Sequence, residues 1–80
     1  MARQRLHLTF PEKLNQEPVI YNLGRKFDIV TNIRRANVED KVGWVILEAA
    51  GEPESLAAGI RYLEELGVQV NRIDGDLVEG

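Results

Sequence analysis

The sequence predicts an α+β fold, a four-stranded antiparallel sheet with two helices on one face, and three observations predict it. Apolar and polar residues alternate in two segments, β-branched and other apolar residues give two more segments strand character, apolar residues recur at helical spacing in two others, and the segments follow one another as strand, helix, strand, strand, helix, strand. Eighty residues have room for one core, so 1–80 reads as a single domain, ordered over about 3–74.

The first strand is read from Leu6, Leu8 and Phe10 alternating with Arg5, His7 and Thr9, and Pro11 stops it. Pro18 suits a helix's first turn, and Ile20, Leu23 and Phe27 recur on one stripe, giving a helix from about Glu17 to Phe27. Strand character resumes at Asp28, where Ile29, Val30, Thr31 and Ile33 supply β-branched side chains. A turn around Glu39, Asp40 and Lys41 leads into a strand over Val42 to Ala50. Val45, Leu47 and Ala49 lie on one side of it and Trp44, Ile46 and Glu48 on the other, and the two strands form a hairpin. Gly51 closes this strand and Pro53 opens a helix striped by Leu56, Ala57, Ile60, Leu63 and Leu66, which Gly67 ends as a left-handed cap. Val68 and Val70 mark the last strand, and the acidic segment 74–80 is expected to fray.

Two right-handed crossovers sharing a central hairpin close one antiparallel sheet when both helices lie on the same face, which is the ferredoxin-like arrangement. Gly24 and Gly59, on or beside the helical stripes, are expected to permit close packing, because an exposed glycine inside a helix costs up to ~1 kcal/mol relative to alanine; tolerance of flexibility is the alternative.

Composition narrows the function. Without cysteine, disulfides, zinc thiolates, iron–sulfur ligation and thiol nucleophiles are excluded, which fits a reducing compartment, and the cytoplasm is the expected location. The amino-terminal segment has no long apolar run, so neither a signal peptide nor a membrane association is expected. Ten basic against thirteen acidic residues give a net charge of −3, which disfavours nucleic acid as a partner. His7 is the one histidine and Ser55 the one serine, and neither has a partner set for catalysis, so no enzyme activity is expected. Asp74, Asp76 and Glu79 lack calcium-loop spacing, and Gly24, Arg25 and Lys26 lack a phosphate loop's flanks; no metal and no cofactor is expected.

Function is expected on the sheet face that the helices leave open. It displays Arg5, His7 and Thr9, then Val30, Asn32 and Arg34, then Trp44, Ile46 and Glu48, then Gln69 and Asn71. Val30, Trp44 and Ile46 make an apolar patch with polar margins, the form of an interface; the alternative is that Trp44 is a core residue on a strand read one position out of phase. Ile33 and Val38 have opposite parity, which a bulge near Arg35 or Ala36 would reconcile. Residues 31–38 are therefore the preferred binding element, the competing reading being an edge strand whose Arg34, Arg35 and Asn37 deter aggregation.

The stretch Phe27 to Val70 resembles the NIL domain, a relative of ACT domains. Asn32-Ile33 followed by Asn37-Val38-Glu39 carries the resemblance, together with Gly43 opening an apolar strand, Gly51 closing it, and Leu63 to Gly67 before Val68 and Val70. NIL domains stand at the carboxyl end of methionine-importer ATPases, where they bind methionine, pair with a second copy and inhibit transport; others accompany ferredoxin modules. The resemblance thus implies a small regulatory domain, a homodimer formed through the sheet, and methionine or another amino acid held near the second strand. Asn32, on the family's naming motif, comes first among the ligand-binding positions, with Ile33, Arg34 and Asn37. Arg34 departs from the motif's leucine and puts the ligand's identity in doubt. A free-standing copy is expected to act in trans, on a transporter or a sulfur-metabolism protein; the alternative is a protein-interaction or dimerisation module without a small ligand.

Overall fold

In the computed structural model, which describes residues 1–12, 18–38, 43–73 and 78–79, five strands and two helices follow in the order β1 (Ala2–Phe10), α1 (Val19–Phe27), β2 (Val30–Val38), β3 (Gly43–Gly51), α2 (Pro53–Leu66), β4 (Gln69–Arg72) and β5 (Val78–Glu79). The sheet runs β2-β3-β1-β4, every pairing antiparallel. This is the predicted ferredoxin-like arrangement, with one addition. Of the segment expected to fray, Val78 and Glu79 pair with Arg3 and Ala2, whereas 74–77 and 80, like the turn expected at 39–41, lie outside the described residues.

Both helices cover the same face. Leu6 faces Leu47 and Leu8 faces Val45 across β1 and β3, and the same buried cluster takes in Val19 and Leu23 from α1 and Leu56, Ile60 and Leu63 from α2. Five leucines, at 6, 8, 23, 47 and 63, are the largest fully buried side chains, and each contributes about 1.5–3 kcal/mol through apolar burial. No described polar side chain is buried with them.

The helix ends show what the chain does without favourable caps. α1 begins after Pro18, which offers no capping side chain, and carries Arg25 and Lys26 in its last turn, where cations complement the helix dipole. Asp28, expected to begin the second strand, instead ends α1 in the left-handed conformation at φ 55°, its N–H donating to the Gly24 carbonyl. A short polar side chain tolerates this backbone better than most, and β2 starts two residues later. α2 has Pro53 in its first turn and Gly67 as the expected left-handed cap, at φ 102°.

The two helix glycines work by close approach. A Cβ on Gly24 would stand 3.0 Å from the Ile29 carbonyl oxygen, and one on Gly59 would stand 2.7 Å from Ile29 Cδ1 and 2.9 Å from Leu23 Cδ1. Beside this contact the Phe27 and Tyr62 rings pack tilted at 5.3 Å, and Lys26 Nζ lies 5.1 Å from the centre of the Tyr62 ring.

Candidate functional site on the uncovered sheet face

Strand alternation places every second residue of β1 and β3 on the face away from the helices. Cross-strand partners share a face, so the register assigns that face in rows: Thr9 opposite Trp44, His7 opposite Ile46 and Arg5 opposite Glu48. Trp44 therefore belongs to the open face and not to the core. It is half-buried because His7 lies diagonally against it, the rings stacked at 5.5 Å with an interplanar angle of 20°. Arg5 Nη2 stands 3.7 Å from Glu48 Oε2, a partly exposed pair worth about 0.2–1 kcal/mol. On the far side Gln69 and Asn71 of β4 face Thr9 and His7.

β2 adds the irregular column. Val30 faces Ala50, Asn32 faces Glu48 and Ile33 faces Leu47, but the register then shifts, so that Arg35 faces Ile46 and Asn37 faces Trp44. The extra residue is Arg34. The bulge expected near Arg35 or Ala36 thus falls just before them, and it changes which residues meet. Without it Asn37 would share a face with Ile33; with it Asn37 joins Asn32 on the open face.

The residues expected to bind ligand divide accordingly. Asn32, Arg34 and Asn37 are exposed along the open side of β2, whereas Ile33 follows Leu47 onto the helix-side face, where it remains 53% exposed. Of the expected interface residues, Trp44 and Ile46 are neighbours on β3. Val30 stands apart at the Ala50 end, with the Asn32–Glu48 row between.

An open depression of about 420 Å³ lies in the middle of this face, lined by Arg5, Arg34, Arg35, Ile46 and Ile73. Sequence reasoning put Arg5 on the correct face but gave it no role, left Arg35 as a guard of the edge, and had no signal for Ile73. That residue lies past the alternating stretch and is held in line by its N–H donating to the Arg5 carbonyl at 3.1 Å. Among the described residues no group of three or more histidine, aspartate or glutamate side chains gathers to hold a metal ion, and no helix is long and apolar enough to cross a membrane.

Known proteins share both sequence and shape with this chain. The NIL domain family model matches residues 4–72. The methionine import ATP-binding protein MetN of Coxiella burnetii is 35% identical over 69 residues, which is 81% of this chain and 20% of that protein. The methionine import ATP-binding protein MetN 2 of Acinetobacter baylyi is 38% identical over a stretch of the same length, with the same coverage. The chain therefore spans about one fifth of the length of the curated relatives it matches. Among solved structures, the C-terminal domain of an ABC transporter ATP-binding protein from Enterococcus faecalis superposes with a TM-score of 0.78 at 19% identity, covering 91% of this chain and 86% of that one. The de novo designed protein Foldit4 follows at 0.60 and 8% identity, a likeness of fold alone. With the family model matched across most of its length and relatives above 30% identity, this chain belongs to the NIL domain family.

Proposed function

We propose that the chain is a small regulatory ligand-binding domain of the cytoplasm that takes methionine or another amino acid on its open sheet face, pairs there with a second copy, and acts in trans on a transporter or sulfur-metabolism protein. The observation that carries this reading is the uncovered face itself. One side of the sheet is sealed by two helices, while the other presents Trp44 stacked on His7, with Ile46 next to it and the bulged strand β2 alongside. Half-buried apolar groups with polar margins are the composition of a surface that meets a partner. Asn32 and Asn37 supply amides, and Arg34 a guanidinium, to the ammonium and carboxylate groups of an amino acid; Ile33 lines the rim of the edge strand. The relatives named as methionine import proteins support methionine as the first ligand to test.

Isothermal titration of the 80-residue chain with L-methionine tests the reading, paired with amide shifts. Saturable heat with shifts confined to residues 31–38 and 44–46 is expected, and Asn32→Ala should weaken binding about tenfold. A titration with L-methionine and the other standard amino acids that gives neither heat nor shifts removes the ligand.

A second reading has its own observation. β2 is an outer strand of the sheet, with Val30 63% and Ile33 53% exposed along it. An edge of that kind suits strand addition by a protein partner without any small molecule.

A further inference from the structure

Two consecutive residues of a regular strand face opposite sides of the sheet. Arg34 and Arg35 escape that rule, because the register shift between Ile33 and Arg35 lets both line one depression. Arg5 of β1 stands across from them, Ile46 of β3 lies between, and Ile73 closes the far side. Three guanidinium groups thus gather on a chain whose net charge is −3. Glu48 stands 3.7 Å from Arg5, and among the described residues neither Arg34 nor Arg35 has an ion-pair partner. Among the described residues the lining of the depression carries three arginines and no acid. The volume, about 420 Å³, falls within the ~300–1,000 Å³ of small-molecule sites.

We propose that this depression is an anion site for a small organic dianion, a molecule with two acidic groups on a short aliphatic stem. Arg34 and Arg35 grip one acid with paired N–H donors, the geometry in which guanidinium exceeds ammonium. Arg5 meets the second acid, in competition with Glu48, so the grip on β2 is the stronger. The stem lies on Ile46 and Ile73. β2 and β1 are two strand spacings apart, ~10 Å between backbones, a gap that long arginine side chains narrow to the length of a short diacid. The inference rests on the reading that the open sheet face binds a small ligand, and it adds to that reading a site for a molecule with two acids, each a carboxylate or a phosphate.

The test is an amide-shift titration of the isotope-labelled full chain with glutarate, 3-phosphoglycerate, L-methionine, a polyglutamate peptide, and acetate with chloride at matched ionic strength. Glutarate or 3-phosphoglycerate should give saturable shifts at Arg34, Arg35, Ile46 and Ile73, the tighter of the two naming the acid. Arg34→Ala and Arg35→Ala should each weaken that binding about tenfold, lysine at either position should restore part of it, and the thermal midpoint should stay unchanged because both side chains are exposed. Equal shifts from acetate and chloride, variants that titrate like the parent, or preference for polyglutamate would overturn the proposal. Methionine binding without either dianion overturns this inference and leaves the proposed function standing; no binding by any of these molecules or by the remaining amino acids overturns both.

Discussion

Gly59 is the residue on which the packing of the two helices turns. A methyl group there would come within 2.7 Å of Ile29 Cδ1 and 2.9 Å of Leu23 Cδ1, and both side chains are buried. Overpacking a core costs about 1–3 kcal/mol, against which alanine regains about 1 kcal/mol of helix propensity. Gly59→Ala should therefore destabilise the fold by about 1 kcal/mol net in chemical denaturation. Ile29→Val deletes the nearest clashing carbon, so the double variant should be more stable than the two single losses added together; strict additivity would refute the contact. The glycine's role was legible from its place on the apolar stripe, but its neighbours were not, because they come from another helix and from the residue leading into β2. Asp28 was illegible for a different reason. Its composition fits a strand entry as well as a cap, and its left-handed backbone arises from α1 ending without glycine.

Among the elements, β2 shows most clearly what a sequence can and cannot convey. The clash of parity between Ile33 and Val38 required an extra residue somewhere between them, and one exists. Its position at Arg34 depends on which cross-strand pairs fit best against β3, information that β2 alone does not hold. From that small displacement follows the meeting of Arg34 with Arg35 and the turning of Asn37 toward Trp44. Deletion of Arg34 should leave Arg35 to Val38 paired as they are and make the strand regular. Such a variant should stay folded within about 1 kcal/mol of the parent and keep the amide protection of β3, while losing the paired guanidinium groups; unfolding on deletion would show the bulge to be needed for the sheet itself. The helices and the central strands were easier to read, since periods of 3.6 and 2 are properties of each segment by itself.

For the whole molecule the governing fact is asymmetry: all of the helical cover lies on one side of a single sheet. Which face would be left open was readable from alternation along β1 and β3, because those strands sit in the middle and one of their faces must be apolar. How β2 completes that face was not, nor was the pairing of Val78 and Glu79 with the start of β1, since both depend on long-range register. If the open face joins two copies, Trp44→Arg places a charge at the centre of the contact. Sedimentation velocity should then show a concentration-dependent dimer for the parent and a monomer for the variant, with unchanged helical circular dichroism. A parent that remains monomeric at high concentration rejects the dimer, and a variant that still pairs removes Trp44 from the contact.

The stack of His7 on Trp44 has a practical corollary. The chain has a single tryptophan, and it sits neither in the oily interior nor loose in water, but against an imidazole on the face proposed to take a ligand or a second copy. Its ultraviolet emission is thus an intrinsic gauge of whatever arrives there, needing no dye, label or engineered probe.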